Sequence, residues 1–340
     1  MSEAVKSIIS ELADGLTPTG SALESAFDAI LSGTSDPVQI SAFLMGLRMK
    51  GETVDDLLAG ARVMRAHARK VKAPPNVVDT CGTGGLPFIS LNTSTAAAIV
   101  AAAAGAVVAK HGNRSVPPKT GSADVLEALG VNLNVSEGQL AQCLEQAGIA
   151  FMFAQAHHSA MRHVAPVRKT LGIRTIFNLL GPLSNPAGAK FQVMGVFDKS
   201  WSEKMASVLN ALGAQHAWIV HGEDGLDEIT TTGETFVVEI KEGNLSSFSV
   251  TPESVGLQRH SLDTIKGGNV AFNADAIKAI LSGEKNAFRD IVALNAGASL
   301  FVCGVASSYA EGVEIALAAI DSGKAAETLA TLIRVSNEAA

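Results

Sequence analysis

Four polar clusters in the chain have the composition and spacing to carry chemistry. The first is Gly82-Thr83-Gly84-Gly85, followed by Asn92, Ser94 and Thr95. Glycines let backbone N–H groups approach an anion closely, while hydroxyls and a helix N-terminus add donors and a favourable dipole. The run follows a strand-like Val77-Val78 and precedes an alanine-rich helix expected over Ala96 to Ala104. It matches neither GxGxxG nor GxxxxGK[ST], so alone it reads equally well as an ordinary strand-to-helix turn. The second cluster, KHGNRSVPPKTGSAD, spans Lys110 to Asp124 and follows the strand-like Ala106-Ala109. It gathers Lys110, Arg114 and Lys119 with His111 and Asn113 at a strand's C-terminal end, where open α/β sheets bind ligands. A solvated basic loop is the bland reading. It is the weaker one, because the chain as a whole carries a net charge of -7.

The third cluster runs from His157 to Pro186. Its histidines, His157, His158 and His163, raise the question of a metal, but no carboxylate lies between Gln155 and Pro186 to complete a ligand set. Arg162, Arg168 and Arg174 are better read as partners for carboxylate or phosphate, which guanidinium binds in bidentate fashion; helix-surface arginines are the alternative. The fourth is HGEDGLDEITTTGET, with Asp227 and Glu228 adjacent. Adjacent loop carboxylates are usually solvated. They also suit Mg²⁺, which takes one or two carboxylates and completes its shell from phosphate and water. No Ser-His-Asp order, nucleophile elbow or glycosidase-type carboxylate pair stands out. Oxyanion donors, cations, a carboxylate pair and guanidinium clamps together suit a reaction with a diphosphate leaving group, in which positioning and electrostatics do the catalysis.

These residues need a scaffold. With 340 residues, 47% of them hydrophobic, the chain is long enough for two domains or for one large domain with an appendage. Its acidity argues against nucleic acid or an anionic membrane as partner. The three cysteines, Cys81, Cys143 and Cys303, are far apart and form no metal or disulfide pattern. The first residues lack a basic-then-apolar signal pattern, and the longest apolar run, Ala96 to Ala109, is too short to span a bilayer, so a cytoplasmic protein is expected.

Residues 1–72 read as helices: an apolar face of Ile8, Ile9, Leu12 and Leu16, a stripe of Leu23, Phe27, Ile30 and Leu31 ended by Gly33, and a helix opened by Asp36-Pro37 and stopped at Gly51. Thr53 opens another. After a linker at Lys72 to Asn76 the period changes. Strand-like runs Val77-Val78, Ala106-Ala109, Ile149-Ala154, Phe191-Phe197 and Ala217-Val220 alternate with helical stretches. Phe236-Ile240 and Phe248-Val250 are candidates for added antiparallel strands, and the chain from about Asp290 is helical. The expected fold is α/β: a small N-terminal helical domain, residues 1–72 with a contribution from about 165–185, and a large α/β domain, residues 76–340, with a mostly parallel sheet flanked by helices.

The blocks DTCGTGG with the following N.ST, KHGNR, GSADVLEALG, MRHVAPVRKTLGIRTIFNLLGPLSNP and DGLDE, in this order over essentially the whole chain, closely resemble anthranilate phosphoribosyltransferase, an enzyme of tryptophan biosynthesis. The resemblance implies a fold like that of class II nucleoside phosphorylases, a homodimer through the helical domain, and Mg²⁺ as cofactor. It implies transfer of the phosphoribosyl group of phosphoribosyl diphosphate (PRPP) to the amine of anthranilate, with release of diphosphate. Carried over by position, it places PRPP on Gly82, Gly85, Ser90, Asn92, Thr93, Ser94, Thr95, Lys110, His111, Gly112, Asn113, Arg114 and Ser122. It places anthranilate on Gly82, Asn113, Arg168, His111, His158 and Pro182, with Arg168 facing the carboxylate. Mg²⁺ falls to Ser94, Asp227 and Glu228. No residue is assigned as acid or base, since the anthranilate amine is already neutral near pH 7.

The resemblance breaks in two places. The family's glycine loop continues with aspartate and glycine where this chain has Leu86 and Pro87, and its KHGNR block is followed by two serines where this chain has Pro117 and Pro118. Together these changes remove a carboxylate, a glycine and two hydroxyls, and each proline removes a backbone N–H and fixes φ. An active enzyme with a stiffened diphosphate loop is the expectation. A pyrimidine-nucleoside phosphorylase-like enzyme and a non-catalytic ligand-binding paralogue are the alternatives.

Overall fold

A computed structural model describes residues 2–85, 89–115 and 120–338. Leu86, Pro87, Pro117 and Pro118, where the sequence departs from the family pattern, lie outside the described residues, as does Lys119.

The chain opens with four helices, α1 (Glu3–Ala13), α2 (Gly20–Leu31), α3 (Pro37–Lys50) and α4 (Val54–His67). Their boundaries follow local chemistry. The Asp36 carboxylate accepts the N–H groups of Val38 and Gln39, both at 3.0 Å, with Pro37 at the first helical position. Thr53 and Asp56 form a reciprocal capping box on α4. Leu16 does not continue the apolar face of α1: the helix ends at Ala13 and Leu16 is 56% exposed.

The remainder builds one seven-stranded sheet in the order β3-β2-β1-β4-β5-β6-β7. The strands are β1 (Val78–Gly82), β2 (Val108–Gly112), β3 (Ile149–Phe153), β4 (Phe191–Gly195), β5 (His216–Gly222), β6 (Thr235–Lys241) and β7 (Asn244–Val250). The first five in sequence pair in parallel, and β6 and β7 add antiparallel at one edge. The chain leaves β1 toward β2 and β3 on one side and returns to pair β4 on the other. The crevice at the C-terminal ends of β1 and β4 is therefore a topological switch point, the usual ligand site of such sheets.

Two of the expected elements extend further than their sequence pattern suggests. The second strand runs through Lys110, His111 and Gly112, so the basic block begins inside the sheet rather than after it. The helix after the glycine loop, α5, spans Thr93–Ala103, which puts Thr93, Ser94 and Thr95 in its first turn with Asn92 at the cap position.

Apolar side chains form two cores. One lies under the sheet face covered by α5 and the buried helix Ala287–Val302. The other joins α1–α4 to Met194, Ile219 and Val238 on the opposite face, through the helix Ser202–Ala211 and the segment Val164 to Leu183. The helical domain thus packs on the sheet by a continuous apolar interior.

Candidate active site

A cleft of about 320 Å³ opens at the switch point. Its floor is set by two glycines in register, Gly82 at the end of β1 and Gly195 at the end of β4. Asp227 lies over both, its backbone against Gly195 and its carboxylate against Gly82. A Cβ at Gly195 would collide with the Asp227 carbonyl oxygen, and one at Gly82 would come within 2.5 Å of the Asp227 Oδ2. Only hydrogen at both positions lets the carboxylate loop reach the sheet.

Charge is concentrated there. The Gly84 N–H donates to Asp227 Oδ2 at 2.8 Å, and the Ser94 N–H, in the first turn of α5, donates to Glu228 Oε1 at 3.2 Å. Lys110 Nζ donates to the Thr80 carbonyl at 2.5 Å and to Ser94 Oγ at 3.2 Å. Burial pushes the Asp227 carboxyl up. Burial and then the Asp227 charge push Glu228 up to about 8, although its side chain keeps some exposure at the cleft wall. Burial also lowers the Lys110 ammonium. Two carboxylates thus face a single ammonium, leaving room in the charge balance for a cation. Among the described residues no group of three or more His, Cys, Asp or Glu side chains forms, so a cation here would have to take further ligands from Ser94, substrate or water.

Of the residues expected to hold PRPP, all line this cleft except Thr93, which is buried at the start of α5. Several do so with side chains already engaged. The Asn92 amide donates to the Thr120 carbonyl at 3.2 Å and accepts from Asn273 Nδ2 at 2.8 Å. Arg114 is paired with Asp124 at 3.0 Å and Glu127 at 2.7 Å and lies over the Phe153 ring. Its charge is therefore matched by direct ion pairs, whereas Lys110 bonds a carbonyl and a hydroxyl. Ser94 Oγ faces Lys110, and the buried Thr95 Oγ1 has no partner among the described residues.

A second cavity of about 410 Å³ adjoins the first, with His111 and Asn113 lining both. Its walls are largely apolar, with Met64, Met161, Ala165 and Phe177. His111 and His158 stand with ring centroids 5.1 Å apart, each with a buried Nε2 that has no hydrogen-bond partner among the described residues. Burial first, then mutual repulsion among the histidines, lowers His111 to about 3; burial, then His157, lowers His158 to about 4. Both rings are neutral at pH 7. Arg168 enters the same cavity, donating to Asn178 Oδ1 at 3.3 Å and lying 5.9 Å from the Phe177 ring centre. Its buried Nε has no partner, and among the described residues no carboxylate pairs with it.

Pro182 is not part of this wall. It is buried, its carbonyl accepts from Gln192 Nε2 at 2.8 Å, and Gly181 faces the cavity instead. Arg162 lines the cavity from its exposed side. Arg174 goes elsewhere, donating to the Gly85 carbonyl and stacking 4.1 Å from the Phe197 ring centre, so it ties the glycine loop to the segment that carries Arg168. His157 is spent on the Arg69 carbonyl at 2.9 Å. Gly195 escapes a reading of the sequence: it is a glycine ending an apolar run, and that local pattern marks no site.

The sequence pattern of "Glycosyl transferase family, a/b domain" matches residues 74–326, and that of "Glycosyl transferase family, helical bundle domain" matches residues 6–68. An anthranilate phosphoribosyltransferase of Hyphomonas neptunium is 56% identical over 339 residues, covering 99% of each chain. The crystal structure of anthranilate phosphoribosyltransferase from Thermus thermophilus superposes with a TM-score of 0.92 at 42% identity, over 99% of this chain and 100% of that one. That of the Saccharomyces cerevisiae enzyme in complex with PRPP and Mg superposes with a TM-score of 0.90 at 29% identity, over 98% of both chains.

Proposed function

The chain belongs to the anthranilate phosphoribosyltransferases of the glycosyl transferase family, and from that membership we propose how its two cavities divide the work. The enzyme transfers the phosphoribosyl group of PRPP to the amine of anthranilate and releases diphosphate, a step of tryptophan biosynthesis. In our reading PRPP occupies the polar cleft at the switch point and anthranilate the apolar cavity beside it.

One juxtaposition carries this reading. A cleft ending in Lys110 and two under-compensated carboxylates meets, through His111 and Asn113, an apolar cavity holding a guanidinium without a counter-ion among the described residues. The first suits a diphosphate with a divalent cation, the second a flat aromatic acid. Arg168 takes the anthranilate carboxylate, and the neutral His111 and His158 rings present uncharged nitrogens to the aromatic ring and its amine. The uncharged amine then attacks the anomeric carbon; the C–N bond forms as the bond from that carbon to the diphosphate oxygen breaks, and the nitrogen releases a proton. In this reading Lys110, at the end of the cleft, supplies positive charge where negative charge develops on the departing diphosphate, which is where a fixed charge accelerates such a reaction. Asp227, Glu228 and Ser94 fit Mg²⁺, which when bound would neutralise part of the diphosphate charge.

A pyrimidine-nucleoside phosphorylase activity has no comparable support, because Arg168 would then face a neutral base. We also propose a homodimer formed through α3, where Val38 is 77% and Met49 82% exposed on one apolar stripe with Ala42 and Met45. We place the enzyme in the cytoplasm, in keeping with its three free cysteines; no described helix is long and apolar enough to cross a membrane.

The test is the loss of anthranilate fluorescence with PRPP and Mg²⁺, run beside thymidine with inorganic phosphate. Turnover of the first pair alone is expected. Folded protein that turns over only the second pair, or neither, refutes the assignment.

A further inference from the structure

The helix Ala287–Val302 is buried along almost its whole length and is mostly apolar there, yet it carries an asparagine at its centre. Asn295 is 3% exposed. Its Oδ1 accepts the Ile229 N–H at 2.9 Å, and its Nδ2 donates to the Ile229 carbonyl at 2.8 Å and to the Ile291 carbonyl, one turn back, at 2.8 Å. The amide therefore grips both backbone groups of one residue, as a neighbouring strand would. An amide in an apolar interior is tolerated only when it is bonded in this way.

Ile229 directly follows Glu228. At the other end of the same loop the Asp224 carboxylate accepts the Leu226 N–H at 3.0 Å and the hydroxyls of Thr230 and Thr232 at 2.6 and 2.5 Å. Between these two anchors Asp227 rests on Gly82 and Gly195. Without Asn295 the peptide after Glu228 would have no partner in the buried helix beneath it, and the Glu228 carboxylate would lose its fixed distance from Ser94 and Lys110.

We infer that Asn295 is a positioning residue for the Asp227–Glu228 pair: it holds the carboxylates at the setting in which they receive the cation and diphosphate, without touching either. The inference rests on the reading of that pair as the cation site. Partners that orient metal ligands from behind typically contribute about 10- to 100-fold to metal affinity.

The experiment uses the full-length protein and isothermal titration calorimetry with Mg²⁺ and PRPP, separately from turnover. Asn295→Leu keeps the branched shape of the side chain and removes the grip. Ser299→Ala is the control; its buried hydroxyl donates to the Asn295 carbonyl at 2.8 Å on the same helix but bonds nothing in the loop. Asn295→Leu is expected to weaken Mg²⁺-dependent PRPP binding by at least about 10-fold. It should also speed amide exchange across residues 226–230 and leave the KM for anthranilate within about two-fold, whereas Ser299→Ala lowers thermal stability with PRPP binding unchanged. If the leucine variant does not fold, Asn295→Ala, which leaves room for water at Ile229, carries the same expectation. Unchanged PRPP binding in a folded Asn295 variant, or equal losses for both substrates and for the Ser299 control, overturns the inference while the site reading stands. Failure of the wild-type protein to bind PRPP with Mg²⁺ overturns the site reading and the inference with it.

Discussion

Arg168 carries a positive charge into an apolar cavity, with one neutral amide as its hydrogen-bond partner. Such a group is costly until an anion arrives, so its contribution should fall on one substrate. Arg168→Ala is expected to raise the KM for anthranilate by about 10- to 100-fold, the scale of lost hydrogen bonds to a charged group, and to leave the KM for PRPP within about two-fold. Equal effects in steady-state kinetics would remove the carboxylate-clamp role. The neighbouring histidines govern acid sensitivity. The folded His158 accepts a proton only near 4, whereas an unfolded histidine does so near its usual 6.5. Between those values the unfolded chain binds more protons, so stability is full above about pH 6.5 and is lost as pH falls toward 4. The unfolding free energy from urea titration should therefore drop on going from pH 7 to 4.5, by an amount on the order of a few kcal/mol, and the drop should be shallower in His158→Gln. A parallel pH dependence in both proteins would show that His158 does not contribute.

At the scale of elements, the site is made by strand ends and a helix start rather than by any single loop. The ends of β1 and β4 are both glycine because Asp227 occupies the space a side chain would take, with its carboxylate at Gly82 and its backbone at Gly195. Gly195→Ala should force that loop outward: Mg²⁺-dependent activity is expected to fall by at least about 100-fold, with a stability cost of about 1–3 kcal/mol for overpacking, read from activity titrations and thermal melts. Activity within a few-fold of wild type would mean that the contact is not needed. The extension of β2 through Lys110 has a related cause. A lysine and a histidine end most strand patterns, but here the ammonium is taken up by Thr80 and Ser94, and the His111 N–H by Asp79 Oδ1 at 3.0 Å. The start of α5 lies at Thr93 because hydroxyl residues that weaken a helix interior are well placed in its first turn, after Asn92 at the cap.

For the molecule as a whole, the two cores explain why a helical appendage and a sheet make one enzyme. The helical domain shares its apolar interior with one sheet face and with the segment that carries Arg168, so the apolar cavity has walls from both parts, Met64 from α4 and His111 from β2. The face of α3 left over is apolar and exposed, with Val38 and Met49 at 77% and 82%. Light scattering at micromolar concentration is expected to give a dimer mass, and Met49→Glu is expected to shift it toward the monomer. A wild-type monomer, or a dimer indifferent to that charge, would place the interface elsewhere or remove it.

The amino-acid sequence was sufficient for the class of fold and for the blocks that line the two cavities. Period, caps and turn residues are local, so the four N-terminal helices and the alternating strands could be read directly, and the blocks around Gly82, Lys110, Arg168 and Asp227 each carry their chemistry in their own composition. The state of each of those residues was settled only by folding. Arg114 and Lys110 look alike as basic residues two positions either side of Gly112; one is neutralised by two carboxylates on the next helix, the other is buried against backbone and hydroxyl. Gly195 and Asn295 carry no local signal at all, because their partners, Asp227 and Ile229, are 32 and 66 residues distant and meet them only once the sheet has been assembled. Burial, pairing and close approach depend on which parts of the chain come together, and that information exists only in three dimensions.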